Sequence, residues 1–353
     1  MTISERPRRA TTLRDVAEAA GVSIKTVSNV VNDHPHVRPE LRRRVQDLIT
    51  ELDYRPSASG RQLRQGRTGA VAVALPNVTS PFYGELTSTL VRSARARGLT
   101  VLVEQTDGEV DREREVSRGF PVRSVDGMIF APLSIPTGEL ASRRDTTPAV
   151  LLGENGEGAG LDRVTLDSVA VGDLATRHLI DLGRRRIAFL GDKTAPADRS
   201  PVVEQRVAGY RKALRRARIR FDPALLQVTP EWERGHGDDG LRALLARCPD
   251  VDAVFAANDL LALGALHALR RLGRRVPEDV AVVGVDDVEE ARFCAPTLST
   301  VGLDRGAMAE LAFDLLGDRL AGYDGPPRLV TAAHALVVRE STGPAGTVPT
   351  SSD

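Results

Sequence analysis

The sequence predicts an all-α helix-turn-helix head followed by an α/β body built on parallel sheets. Residues 11–56 carry short amphipathic segments with apolar side chains at helical spacing. From Gly69 onward, short apolar runs alternate with longer helical patterns. The body extends over about 270 residues, which is enough for two such sheets, and a chain of 353 residues suits two or three domains.

The head contains three predicted helices. Thr12 is placed to cap the first, and Gly21 ends it because glycine accepts the left-handed conformation that closes a helix. Ser23 caps a second helix over residues 24–32, and Pro39 suits the first position of a third. Three helices within about 45 residues, the first two joined by a tight turn, match a helix-turn-helix unit.

The body is predicted to be a parallel α/β structure. Its apolar runs are short, and each is followed by an amphipathic segment of ten or more residues. Strands that are buried on both faces and joined by helices are typical of parallel sheets. The predicted strands include residues 70–75, 99–103, 127–131, 149–152, 187–190, 251–256 and 280–285.

Composition excludes several classes of protein. Hydrophobic residues make up 41% of the chain and charged residues 27%, as in a soluble globular protein. No apolar stretch approaches the roughly 18 residues that span a bilayer, and no apolar run follows the basic N-terminus as a signal peptide requires. Cys248 and Cys294 alone form neither a disulfide scaffold nor a zinc site. We expect a cytoplasmic protein without a cofactor, a metal or a membrane partner.

Charge is distributed unevenly along the chain. Residues 1–68 hold 13 Arg and Lys against 8 Asp and Glu, whereas the remainder holds 35 against 40. A basic head on an acidic body indicates that the head meets a polyanion.

Several motifs resemble those of one family. Residues 12–32 closely resemble the DNA-binding head of the LacI/GalR (lactose-repressor) family, and the end of the third helix, residues 52–56, matches as well. The body is similar to that family at residues 187–191, 206–210, 257–265 and 283–287, and the similarity covers roughly residues 11–340 in family order. An ordered series of this kind is far more specific than an isolated helix-turn-helix match.

The resemblance implies a domain organisation. The body would be a periplasmic-binding-protein-like module of two subdomains, with the chain crossing between them. The implied divisions are a disordered basic arm (1–10), the helix-turn-helix domain (11–56), a hinge helix or linker (57–68), an effector-binding and dimerisation domain (69–340, with subdomains at about 69–166 plus 302–332 and 167–301 plus 333–340), and a disordered Ser/Thr/Pro/Gly-rich tail (341–353).

The second helix of the head would lie in the major groove of DNA, with its first residues toward the bases. Ile24 and Lys25 are then the first readers, and Asn29 follows one turn later. Lysine suits guanine, isoleucine the methyl group of thymine and asparagine adenine. Ser23 and Thr26 suit phosphate contacts or capping. The alternative is that these are merely exposed helical residues.

In the family, the hinge becomes a short helix on operator DNA and inserts a leucine into the minor groove. Leu63 is the matching residue, and Arg64 beside it could reach minor-groove acceptors or phosphate. Gly60 stands where the family favours alanine, and glycine disfavours a helix by about 1 kcal/mol. We therefore expect this hinge to order reluctantly without DNA; composition alone would favour a flexible linker.

An interdomain cleft is where a small ligand binds. The resemblance places Arg206, Asn258 and Asp286 facing that cleft, with Phe82 and Trp232 near its walls. Aromatic faces suit the C–H surfaces of a sugar, and the polar side chains suit its hydroxyl groups. A lone tryptophan is also a common core residue, and that alternative stays open.

Other chemistries find little support in the sequence. No glycine-rich phosphate loop and no nucleophile elbow are visible, so no catalytic residue is assigned. His34 and His36 are expected to be a solvated pair rather than a metal site. Asp259 and Asp287 are expected to cap helices or to make interdomain contacts.

The leading hypothesis is a transcriptional regulator, a repressor, that binds double-stranded palindromic operator DNA as a homodimer and responds to a small-molecule effector, a sugar or sugar derivative. A sugar-binding transport protein would need an export signal and has no use for the basic head. An α/β sugar enzyme would need a nucleophile or a cofactor motif. A gel shift on upstream DNA separates the first hypothesis from both others.

Overall fold

The computed structural model describes residues 11–31, 34–54, 67–120, 125–192 and 201–343. The chain divides into two units, Met1–Thr68 and Gly69–Asp353. The predicted hinge residues Gly60, Leu63 and Arg64 lie outside the described residues.

The first unit contains three helices, α1 (Leu13–Ala20), α2 (Ile24–Val31) and α3 (Pro39–Glu51). A capping box starts α1, because the Thr12 hydroxyl accepts from the Asp15 amide and the Asp15 carboxylate accepts from the Thr12 amide at 2.7 Å. Gly21 ends α1 in the left-handed conformation, with φ of 62°. The predicted all-α head is confirmed.

A small core joins these helices. Val16 from α1, Val27 from α2 and Val45 from α3 are fully buried against one another and their apolar neighbours. Because the inward face of α2 is occupied by Val27, Val30 and the small Ser28, the side chains of Ile24 and Lys25 are left outward. This packing determines which side of α2 is available to a partner.

The second unit is an α/β structure with two six-stranded sheets. The first sheet has the order β11-β5-β4-β3-β1-β2 and the second β12-β10-β9-β8-β6-β7. All strand pairs are parallel except β10 with β12, which is antiparallel. The strands are β1 (Ala70–Leu75), β2 (Thr100–Gln105), β3 (Gly127–Phe130), β4 (Ala149–Leu152), β5 (Asp162–Thr165), β6 (Ile187–Asp192), β7 (Leu226–Val228), β8 (Ala253–Ala256), β9 (Ala281–Asp286), β10 (Ser299–Leu303), β11 (Leu329–Thr331) and β12 (His334–Val337).

Helices connect the strands and cover the sheets. The chain crosses from the first sheet to the second after β5, returns after β10, and crosses again after β11. The central strands are nearly continuous apolar runs, as the predicted parallel sheets require. The helices of this unit are α4 (Pro81–Ala96), α5 (Val110–Ser117), α6 (Thr137–Ala141), α7 (Ser168–Asp181), α8 (Pro201–Arg216), α9 (Arg234–Arg247), α10 (Asp259–Arg271), α11 (Glu290–Phe293) and α12 (Arg305–Leu320), with a 3-10 turn at Pro223–Leu225.

The predicted disorder of the tail is wrong for its first residues. Ser341 and Thr342 are buried. The Ser341 hydroxyl accepts from the Ser299 amide at 2.8 Å, and Thr342 Oγ1 lies 2.8 Å from His178 Nε2. Hydroxyl-rich composition predicts disorder, but here the hydroxyl groups pair with backbone and side-chain groups beside the second sheet. Residues 344–353 lie outside the described residues.

Within the described ranges, no helix combines the length and the apolar character that a membrane span requires.

Candidate functional site

The start and the outward side of α2 bring together the three predicted base-reading residues, Ile24, Lys25 and Asn29, and the two residues predicted for phosphate contacts or capping, Ser23 and Thr26. The Ser23 hydroxyl accepts from the Thr26 amide at 3.1 Å, so it caps the helix. Ile24 is 45% exposed, and Lys25 is exposed beside it. Asn29 is half-buried and stands one turn beyond Lys25 on the same face. The exposed side of α2 therefore presents an apolar side chain, Ile24, directly beside a cationic one, Lys25.

A cavity of about 950 Å³ lies between the two sheets of the body. It opens where parallel strands from both sheets end, the position at which α/β structures bind ligands. All five predicted effector residues line it: Phe82, Arg206, Trp232, Asn258 and Asp286.

Arg206 projects from α8 and is only 3% exposed. Its guanidinium donates to the carbonyl of Ala257, and among the described residues its Nε has no hydrogen-bond partner. The position of α8 depends on a close approach to α7, since a Cβ at Gly172 would overlap the carbonyl oxygen of Arg206. Gly209 of α8 meets the backbone of α7 in the same way. The two helices therefore hold the guanidinium at a defined place in the cavity wall.

Trp232 and Asn258 are linked to each other and to the end of β6. The indole Nε1 donates to the carbonyl of Gly191 at 3.0 Å, and the Asn258 side-chain amide donates to the carbonyl of Trp232 at 3.2 Å. The oxygen of Asn258 accepts from the Leu261 amide at 2.9 Å, which makes Asn258 the N-cap of α10. The lone tryptophan is thus half-buried in the cavity wall rather than in the core.

Neither of the two aspartates next to these residues caps a helix, but the carbonyl of Asp287 accepts from Arg305, whose helix packs on the first sheet, as the predicted interdomain contact requires. Asp259 is fully buried and caps no helix; it accepts from the Thr300 hydroxyl at 2.6 Å and from the Val288 amide at 3.0 Å. Asp287 pairs with Arg339 at 2.5 Å in the same sheet layer. Both residues stabilise the loop that follows β9, and sequence spacing alone did not reveal this.

Asp286 ends β9 and is 8% exposed. Its carboxylate accepts no hydrogen bond within the described part of the chain, although its carbonyl accepts from Arg305. Burial raises the pKa of Asp286 to about 7, with Glu154 and Glu85 also raising it and Arg206 and Arg305 opposing. Near neutral pH this group can therefore both accept and donate a hydrogen bond, as recognition of a ligand hydroxyl group requires.

The opposite wall is aromatic. Phe82 and Tyr83, at the start of α4, pack edge to face with their ring centroids 5.2 Å apart. Burial, and then the charge of Glu154, raises the pKa of Tyr83, so its phenol stays neutral. Tyr83 lines the cavity but was not predicted as a site residue; its position next to Phe82 at a helix start was the available signal.

No group of three or more potential metal ligands occurs among the residues that the structure describes. His34 and His36 are exposed.

Known proteins show the same organisation. Residues 12–57 match the bacterial regulatory proteins of the lacI family, and residues 176–342 match the periplasmic binding protein-like domain. The ribose operon repressor of Escherichia coli strain K12 is 35% identical over 311 residues, which cover 88% of this chain and 93% of that protein.

The chain belongs to the LacI family of bacterial regulatory proteins. It is therefore a DNA-binding transcriptional regulator, and the predicted fold class and family are confirmed.

Two solved structures of the LacI family extend the comparison. The complex of transcriptional regulator CelR with cellobiose is 33% identical, with a TM-score of 0.69 over 94% of this chain and 99% of that one. The lac repressor dimer bound to operator and the anti-inducer ONPF is 26% identical, with a TM-score of 0.84 over 95% of this chain and 100% of that one.

Proposed function

We propose that this LacI-family regulator is a repressor that binds palindromic double-stranded operator DNA as a homodimer and responds to a carbohydrate effector in the body cavity. The observation that carries the proposal is the lining of that cavity. It combines three aromatic side chains, Phe82, Tyr83 and Trp232, with the buried polar groups of Arg206, Asn258 and Asp286. Apolar faces with a few convergent polar groups are the usual composition of a small-molecule site.

The proposed DNA-reading residues are those on the outward side of α2. Lys25, Ile24 and Asn29 would contact base edges, and Ser23 and Thr26 would contact phosphate. The exposure of Ile24 and Lys25 supports this assignment. The hinge contacts are proposed from the family resemblance alone and comprise Gly60, Leu63 and Arg64.

A carbohydrate is the proposed effector because the polar groups of the cavity are arranged for hydroxyl recognition rather than for a strong anion. Arg206 already donates to Ala257, and the carboxyl groups of Asp286 and Glu154 lie in the same lining. The solved complex of CelR with cellobiose supports this choice of ligand class.

We further propose that the protein acts by binding, without catalysis, and that it works in the cytoplasm. The regulatory role of the family supports both parts of this proposal. The test is chromatography of a sugar recovered after incubation with the protein. Chemical conversion of that sugar would instead support the enzyme hypothesis.

The effector part can be tested with the intrinsic fluorescence of Trp232, the single tryptophan of the chain. Ribose, cellobiose, glucose and galactose are titrated into the full-length protein. We expect saturable binding of at least one sugar and its loss in Arg206→Gln. Arg211→Gln is the matched control, because Arg211 lies on the same helix and stacks on Phe221 at 4.2 Å instead of lining the cavity.

The DNA part is tested by selecting binding sites from a random duplex pool. We expect a palindromic consensus and a DNA affinity that the bound sugar changes. A consensus without two-fold symmetry, or no enrichment at all, would contradict the proposal.

A further inference from the structure

The loop after β9 has an unfavourable backbone conformation. Asp286 and Asp287 have φ of 119° and 53°, a region that residues with side chains rarely adopt. Such conformations persist only where the surroundings determine them, and they are concentrated at binding sites. The loop carries the Asp286 carboxyl group into the cavity, so whatever holds it also positions that group.

Side chains hold this loop at its carbonyls, at its amides and, through the Arg339–Asp287 ion pair, at one of its own side chains. Arg305 donates to the carbonyls of both Asp286 and Asp287, the second at 3.0 Å. On the amide side, Asp259 accepts from Val288 at 3.0 Å. Asp259 belongs to the same sheet layer as the loop, whereas Arg305 does not.

Arg305 is the first residue of α12, which packs on α4 and on the first sheet. Its guanidinium also pairs with Glu85 of α4 at 2.8 Å. Glu85 in turn accepts from the Glu289 amide, beyond the loop, at 3.0 Å. The pair is partly shielded from water, with Arg305 16% and Glu85 32% exposed. One ion pair therefore connects the Asp286 loop to the helix that carries the aromatic wall.

We propose that Arg305 and Glu85 are positioning residues of the effector site, which hold the Asp286 loop in its conformation and in register with the Phe82–Tyr83 end of α4. This inference rests on the proposed effector cavity. A planar guanidinium serves two carbonyls and a carboxylate at once, whereas a lysine ammonium has no such fork. A lysine at position 305 would keep the positive charge but would not hold the loop carbonyls and Glu85 at the same time.

The first test needs no ligand. Hydrogen–deuterium exchange of the full-length protein is measured for Arg305→Lys and Glu85→Gln, at the amides of residues 287 and 288. We expect about tenfold faster exchange in each variant. The double variant should exchange more slowly than the product of the two single effects predicts, because the Arg305–Glu85 ion pair is shared, while Glu85 separately accepts from the Glu289 amide.

Matched controls are available on the same two helices. Arg97, which follows α4, pairs with Glu310 and Asp314 of α12 at 2.9 and 2.7 Å, and none of these residues lines the cavity. Arg97→Lys and Glu310→Gln therefore weaken the same helix pair without touching the loop. Unchanged exchange at 287 and 288 in both test variants, or equal acceleration in the controls, would overturn the proposal.

The second test uses the sugar from the panel of ribose, cellobiose, glucose and galactose that binds the wild type. We expect about tenfold weaker binding for Arg305→Lys and Glu85→Gln, and a change of less than about twofold for the controls. Full affinity in both test variants would refute a positioning role. If no sugar binds the wild type, the proposed effector class fails, while the exchange measurement still decides the role of Arg305.

Discussion

Two hydrogen bonds join Ser341 to Val282. The Val282 amide donates to the carbonyl of Ser341 at 2.9 Å, and the Ser341 hydroxyl donates to the carbonyl of Val282 at 2.7 Å. Since Val282 lies in the fully buried strand β9, the segment after Glu340 completes the second sheet layer. The C-terminal residues as far as Thr342 are thus structural.

This relationship predicts a sharp boundary for truncation. Ending the chain after Glu340 removes the bonds of Ser341 and Thr342, and we expect the free energy of unfolding to fall by about 3 kcal/mol, at about 1 kcal/mol for each of several lost hydrogen bonds. Ending it after Gly343 keeps those bonds and should leave stability unchanged. Urea denaturation of both truncations, compared with the full chain, measures the difference. Equal stability of the two truncations would contradict the prediction.

A second prediction concerns Asp162, which is fully buried at the start of β5. Burial raises its pKa, but ion pairs with Arg319 at 2.9 Å and Arg328 at 3.1 Å prevail and lower the pKa to about 2. Because the folded-state pKa is lowered, the stabilisation is present above about pH 4 and is lost as pH falls toward 2. Asp162→Asn should cost about 3 kcal/mol at neutral pH.

The measurement is urea denaturation of wild type and Asp162→Asn between pH 7 and the acid limit of solubility. We expect the difference between the two proteins to shrink as pH falls. Asp314→Asn is the control, since Asp314 is an exposed partner in an ion pair. A difference that stays constant with pH would show that the carboxylate charge is not responsible.

A third prediction concerns Asp286, whose pKa burial raises to about 7. Because the pKa of Asp286 is higher in the folded protein than in the unfolded chain, the folded protein holds the carboxyl proton more tightly. The contribution of Asp286 to stability is therefore present below about pH 4 and is lost as pH rises through 7. Asp286→Asn should reduce this slope while keeping the side-chain shape, and the slope that remains belongs to Asp259, whose pKa burial also raises. Unfolding measured at intervals from pH 5 to 8 tests it, and an unaltered slope in the variant would assign the pH dependence to another group.

A fourth prediction concerns Lys25 on the exposed side of α2. Lys25→Ala should relax base preference at one position in each half-site and cost about 1–3 kcal/mol on the selected operator. Affinity for random DNA should change little. Binding to the operator, to single-base variants and to random duplex, at two salt concentrations, measures both effects. A uniform loss on all duplexes would make Lys25 a phosphate contact instead.

The success of the sequence predictions depended on whether each element carries its own apolar signal. Strand β1 occupies the predicted residues 70–75, because its apolar run is bounded by Gly69 and Pro76. Helix α4 begins at Pro81, because proline suits the first turn of a helix.

Elements that are stabilised by residues far away in the sequence carry no apolar run by which they could be predicted. Strand β5 has the sequence Asp-Arg-Val-Thr, and the charge of its buried first residue is compensated by two arginines that come more than 150 residues later, Arg319 and Arg328. The residues of the cavity likewise fall into those that the sequence indicated and those that it did not. The resemblance led to Arg206 and Asp286, which line the cavity, whereas Arg305 acts through backbone carbonyls and leaves no pattern in its own sequence neighbourhood.

Because α7 and α8 pack closely, the two walls of the cavity differ in how well they tolerate amino-acid substitutions. On the α8 side, any side chain larger than hydrogen at Gly172 or Gly209 would push the backbone that carries Arg206, so this wall tolerates little variation. On α4, next to Phe82, the corresponding approach is looser, since a Cβ at Gly84 would lie 3.1 Å from the carbonyl oxygen of Val78. Ligand preference is therefore easier to change, in evolution or by design, through substitutions at Phe82 and Tyr83. The wall that carries Arg206 would stay unchanged.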